Sequence, residues 1–109
     1  MTRPHAPSPS EAALQAHTLK HLNGLPHCWA VKFPGVLRRG VPDVLVCYRG
    51  QFLALEIKRP GQSPTALQRA VIRQIRGAGG IADVVHALDE VRAILLEIDE
   101  ELALQRFGE

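Results

Sequence analysis

The stretch Val41 to Gly61, VPDVLVCYRGQFLALEIKRPG, holds two mostly apolar runs separated only by Arg49 and Gly50. Both are short and rich in β-branched and aromatic residues, so they read as strands, Asp43–Arg49 and Gln51–Lys58. A turn at Arg49-Gly50 joins them as a hairpin. In the second strand, period-two alternation sets Leu53, Leu55 and Ile57 on one face and Ala54, Glu56 and Lys58 on the other. Small Ala54 leaves room beside Glu56 and Lys58. The hairpin thus carries Asp43 at the start of one strand and Glu56 and Lys58 at the end of its neighbour, where apolar surface is most needed.

The flanking sequence supplies the remaining elements. Ser8-Pro9-Ser10-Glu11 fits a capping box, Ser8 as N-cap and Glu11 at N3, for a helix that carries Leu14, Leu19 and Leu22 and stops before Gly24. Cys28–Phe33 reads as a strand, and the loop after it projects Arg38 and Arg39. Ser63 as N-cap and Pro64 at N1 start a helix that runs to Arg76. Its Leu67, Val71 and Ile75 form an inward stripe, with Arg69, Arg73 and Arg76 displaced around the axis. GAGG ends that helix, Ile81–Ala87 reads as a fourth strand, and Leu88–Gln105 as an amphipathic, acid-rich helix. The predicted order is α-β-β-β-α-β-α, an α/β fold with a mixed sheet flanked by helices. With 109 residues, one domain over 8–109 after a flexible arm over 1–7 is expected.

Net charge is only +2, but it is unevenly distributed. Residues 1–80 hold eleven Lys and Arg against three acids, a balance of +8; residues 81–109 hold two against eight, a balance of −6. A basic body favours a polyanion through phosphate contacts and counterion release. Its three acids are Glu11, Asp43 and Glu56. Carboxylates weaken a phosphate-binding surface unless they serve the phosphate, for example by holding a divalent cation.

Gly40-Val41-Pro42-Asp43 and Glu56-Ile57-Lys58, in strands joined by a hairpin, resemble the two halves of the PD-(D/E)XK nuclease signature. Adding Glu11 in the first helix and Gln68 in SPTALQRA, the chain is similar to the VRR-NUC family, the virus-type replication-repair nucleases, from Ser10 to Val91. The resemblance implies a restriction-endonuclease-like core and a structure-selective DNA endonuclease that hydrolyses phosphodiester bonds. It implies Mg²⁺, with Mn²⁺ as substitute, held by Asp43, Glu56 and the Ile57 backbone carbonyl, with Glu11 binding directly or through water. Lys58 would orient the attacking water or stabilise developing charge, and Gln68 would hold Lys58 or the water. Lys32, Arg38, Arg39, Arg59, Arg69 and Arg73 are the expected DNA contacts. Stand-alone members of the family further imply a homodimer, cleavage of four-way (Holliday) junctions, and the cytoplasm of a bacterial or phage-infected cell.

Singly, each residue has an ordinary structural explanation. Glu11 can serve as a capping residue, Asp43 can follow Pro42 in a turn, Glu56 and Lys58 can face solvent on an edge strand, and Gln68 can be a solvated helix residue. The coincidence of all three acids of the basic body with the motif favours the nuclease reading over a non-catalytic DNA-binding subunit of the same fold. An RNA-directed nuclease is a third reading. Trp29 and Phe33 fit strand packing, although either can stack on a base. Of the five histidines, His17 and His21 stand at i and i+4, but with no Cys or acid near them in sequence they fit a solvated helix face rather than a metal site. Cys28 and Cys47 show no metal-ligand spacing, as suits a reduced, intracellular protein. No apolar run approaches the roughly 20 residues of a membrane span, and the N-terminus has no secretory h-region.

Overall fold

Seven elements, α1 (Pro9–Asn23), β1 (Cys28–Lys32), β2 (Val44–Tyr48), β3 (Gln51–Ile57), α2 (Ala66–Gly77), β4 (Ile81–Val85) and α3 (Leu88–Phe107), make up the computed structural model, which describes residues 9–108. This is the expected α-β-β-β-α-β-α order. The arm over 1–7 and the N-cap expected at Ser8 lie outside the described residues. The strands lie in the order β1-β2-β3-β4, with β1, β2 and β3 antiparallel and β4 parallel to β3. A parallel neighbour requires a crossover, and α2 provides it. β3 is therefore an interior strand, with β1 and β4 at the edges.

The hairpin turns through Arg49 at φ 51° and Gly50 at φ 81°. A tight hairpin needs this positive-φ pair to match the twist of its strands. Gly50 adopts it freely, whereas Arg49 is held in place. Its N–H donates to the His27 carbonyl at 2.8 Å, and its guanidinium donates to Asp99 Oδ1 at 2.8 Å. Tyr48 donates its hydroxyl to the same Asp99 oxygen at 2.8 Å, which ties α3 to the hairpin.

Each face of the sheet has its own apolar layer. On one, Val44, Val46, Leu53, Leu55 and Ile57 meet Leu22 of α1 and Val91, Leu95 and Ile98 of α3. The apolar stripe of α3, Leu88 to Leu102, is thus spent on its own sheet, and is not left over to pair with a second copy. The other layer is thinner: Ala54, Ala82 and Ile72 of α2, with Leu45, Ile75 and Val84 beside them. Among the described residues no helix is long and apolar enough to cross a membrane.

The sequence reading is corrected at several ends. The strands stop one or two residues inside their expected ranges, and α3 runs on to Phe107. The larger change is at α2, which begins at Ala66 with Thr65, not Ser63, as N-cap. Thr65 Oγ1 accepts the Gln68 N–H at 3.1 Å while Gln68 Oε1 accepts the Thr65 N–H at 2.8 Å, a reciprocal capping box. The inward residue of α2 is then Ile72, and Leu67 is 49% exposed. Leu67 and Val71 instead lie under the loop before β2.

Two backbone details fix that loop and the β1 edge. Gly40 sits at φ 85°, and a Cβ there would lie 2.8 Å from Leu67 Cγ and 2.9 Å from Val71 Cγ2. Only glycine meets both demands, so the chain leading into Asp43 rests directly on α2. At the edge, the Asn23 side chain bonds both backbone groups of Ala30, donating to its carbonyl at 3.0 Å and accepting its N–H at 2.9 Å. Gly40→Ala is expected to lower unfolding free energy by about 2 kcal/mol or more through φ strain and overpacking. Urea unfolding checks this, and an unchanged midpoint would contradict it.

Candidate active site

Val44 lies opposite Leu55, so the next pair in register sets Asp43 against Glu56 on the α2 face. Asp43 is fixed to both neighbouring strands. Its carbonyl accepts the Phe33 N–H at 2.7 Å, and its Oδ2 accepts the Ile57 N–H at 2.9 Å. Glu56 is only 1% exposed, since β3 is interior and α2 covers it. Its Oε1 accepts Gln68 Nε2 at 3.3 Å, while Oε2 is buried and accepts no hydrogen bond from a neighbouring donor.

This setting pushes the Glu56 carboxyl from its ordinary value of 4.5 up to about 9. Burial is the first cause, and the apposed Asp43 carboxylate, through a hydrogen bond to the protonated form and through its charge, is the second. The Lys58 ammonium opposes the rise, and Glu11 adds to it. Without a cation, Glu56 is therefore protonated at neutral pH. The same interactions show that the fold draws Glu11, Asp43, Lys58 and Gln68 around Glu56, although they span 58 positions of sequence.

The contact of Gln68 differs from the expectation. Its amide meets Glu56 rather than Lys58, and the Thr65 capping box orients it for that contact. The Lys58 backbone is anchored on β4: its N–H donates to the Val85 carbonyl at 3.0 Å, and His86 Nδ1 lies 3.1 Å from the Lys58 and Arg59 carbonyls. Sequence reasoning gave His86 no role, since its partners lie 27 and 28 positions away. It also missed Gln15 and Thr18, which are 4% and 0% exposed on the inner side of α1. Gln15 Oε1 and Thr18 Oγ1 are buried without partners; polar residues on a helix of this kind give no sign of burial.

The donor chemistry fits a hard divalent cation. Two carboxylates face each other, one has a buried oxygen that no neighbouring donor reaches, and a backbone carbonyl follows at Ile57. Among the described residues no three His, Cys, Asp or Glu side chains form a metal-binding group. Mg²⁺ does not need one, because it is commonly held by one or two carboxylates and keeps several waters.

Lys32, Arg38, Arg39, Arg59, Arg69 and Arg73 are exposed, and none joins the ion pairs found among the described residues. Arg69 donates to the Pro64 carbonyl at 2.7 Å. Arg49 and Arg76, by contrast, are engaged with Asp99 and Asp83. Lys32, Arg38, Arg39 and Arg59 flank the end of the sheet that carries Asp43 and Glu56.

Below pH 4.5 the Glu56 carboxyl is protonated whether the chain is folded or not; between there and about 9 only the folded state keeps that proton. Its contribution to stability is thus full at low pH and is lost as pH rises toward the folded value. Urea unfolding in EDTA should show the wild type weakening with pH relative to Glu56→Gln. Parallel profiles for the two proteins would contradict the assignment.

No protein-family model matches the sequence, and no curated protein does. Solved structures do. One described as "VRR_NUC domain" superposes with a TM-score of 0.70 at 23% identity, covering 81% of this chain and 96% of that one. Another, "VRR_NUC domain protein", gives 0.66 at 17% identity, covering 84% of this chain and 89% of that one. The chain has the fold of the VRR-NUC domain, the α/β core with a mixed sheet flanked by helices that its motifs led us to expect.

Proposed function

We propose that the chain belongs to the VRR-NUC family and is a divalent-metal-dependent endonuclease that hydrolyses phosphodiester bonds in branched DNA. The observation that carries this reading is the buried Glu56 carboxyl, given no donor at Oε2, set against the Asp43 carboxylate at the end of the sheet. A structural carboxylate has no reason to sit there, whereas a cation ligand does. The shared fold supports the same conclusion.

Asp43, Glu56 and the Ile57 carbonyl hold the cation, with Glu11 binding directly or through water. A Mg²⁺ or Mn²⁺ ion bound there supplies charge neutralisation at the attacked phosphate and a more acidic water. Gln68 keeps the Glu56 carboxylate oriented. Lys58, on the same face, donates to the attacking water or to the developing negative charge on phosphorus. Lys32, Arg38, Arg39 and Arg59 bind phosphates around the site, and Arg69 and Arg73 extend the contact along α2. Substrate choice rests on DNA shape, as the structure-selective cleavage implied by the motif resemblance requires. A homodimer with two sites related by a twofold axis suits paired incision of a four-way junction.

The test is cleavage of labelled four-way junction, flap, linear duplex and single strand in Mg²⁺, Mn²⁺ or EDTA. Wild type should cut branched DNA only with metal. Glu56→Ala should lose more than the roughly 100-fold typical of an outer-sphere partner while still binding DNA. Cutting that survives in EDTA or in Glu56→Ala would contradict the proposal. Binding by the wild type without cutting in any metal would assign a DNA-binding scaffold instead.

A further inference from the structure

The sheet face that carries Asp43 and Glu56 is only partly covered. α2 packs over Ala54 and Ala82 through Ile72. Toward the β1 edge the same face leaves Trp29 64% exposed, Phe52 47% and Val31 39%. Register sets Trp29 opposite Cys47 and Cys47 opposite Phe52, a single row across three strands. Cys47 in the middle of that row is exposed too. Along β1, Trp29, Val31 and Phe33 share this face, and Phe33 pairs with Asp43 through its N–H. Four residues of extended chain place the indole about 13 Å from the acid pair.

An indole and a phenyl ring left in water call for an occupant. A second copy cannot continue the sheet at the middle of β1, because Asn23 already occupies both outward backbone groups of Ala30. Charge selects among the rest. β1, β2 and β3 place no acid on this face other than Asp43 and Glu56, and the loop closing its end carries Arg38 and Arg39. The acids of α3, Asp89 to Glu101, belong to the helix that packs on the opposite face. An occupant that is polyanionic and also offers flat apolar surfaces satisfies both features, and unpaired DNA is such a ligand.

We propose that Trp29, with Phe52 and Val31 beside it, is a stacking platform for an unpaired base of single-stranded DNA leading to the candidate active site. The inference rests on the nuclease reading for its biological sense, but its test does not. Trp29 is the only tryptophan, so its emission reports on the platform directly.

In EDTA, short single-stranded oligothymidylate should quench that emission. It should also slow alkylation of Cys47 but not of Cys28, which packs toward the opposite layer. Trp29→Ala should weaken single-strand binding by about 5- to 100-fold and leave duplex affinity unchanged, while Trp29→Phe retains most of the affinity. Exposure of Trp29 makes both variants foldable, which urea unfolding verifies. An unquenched indole, or single-strand affinity unmoved in Trp29→Ala, overturns the platform. Since EDTA removes cleavage from the assay, that failure leaves the nuclease reading intact, and failed cleavage leaves the platform intact. Tighter binding of the matching ribo-oligomer overturns the assignment to DNA. An indole buried by protein concentration alone, with dimers lost in Trp29→Ala, overturns it in favour of a second copy.

Discussion

Asp43 and Glu56 face each other across adjacent strands, at a depth where water cannot keep both carboxylates charged. Burial of Glu56 follows from topology, since β3 lies between β2 and β4 and α2 crosses over it. The surroundings then hold the pair in place. Gly40 lets the chain entering Asp43 lie on α2, the Ile57 N–H fixes the Asp43 carboxylate, and the capping box at Thr65 aims Gln68 at Glu56. A metal-free site of this kind is satisfied by a proton. Under the proposed function a cation takes the place of that proton and is held by both carboxylates at once.

The two faces of the sheet divide the work. The layer under α1 and α3 contains the large buried aliphatics and carries most of the hydrophobic stabilisation. The layer under α2 is built on alanines and a single buried isoleucine, and it is the one with polar chemistry at its end. Charge follows the same division, with arginines on α2 and its loop and acids on α3. Most of the large buried aliphatic surface lies on one side of the sheet, and the buried carboxylate of Glu56 lies on the other.

Much of this was legible in the sequence, for identifiable reasons. The hairpin followed from Arg49-Gly50 between two β-rich runs, and the faces of β3 followed from period-two alternation. The start of α2 was misplaced, because Ser63-Pro64 is a good local start signal, whereas the helix begins after Thr65, whose capping box with Gln68 sets its first turn. Alternation put Glu56 and Lys58 together but could not say whether water covers them, since that depends on where α2 crosses. Contacts such as Tyr48 with Asp99, 51 positions apart, or His86 with Lys58, leave no local trace at all. The same holds for the exposure of Trp29, whose residue type alone suggested packing.

The most direct test of the account is the proton balance of cation binding, by calorimetry of Mn²⁺ or Mg²⁺ at neutral pH in buffers of different ionisation enthalpy. A Glu56 carboxyl held near 9 must give up its proton to become a ligand. The account predicts release of about one proton per cation bound, lost together with binding in Glu56→Gln. Binding with no proton release, or binding that survives in Glu56→Gln, would contradict the claim that this buried pair is the metal site.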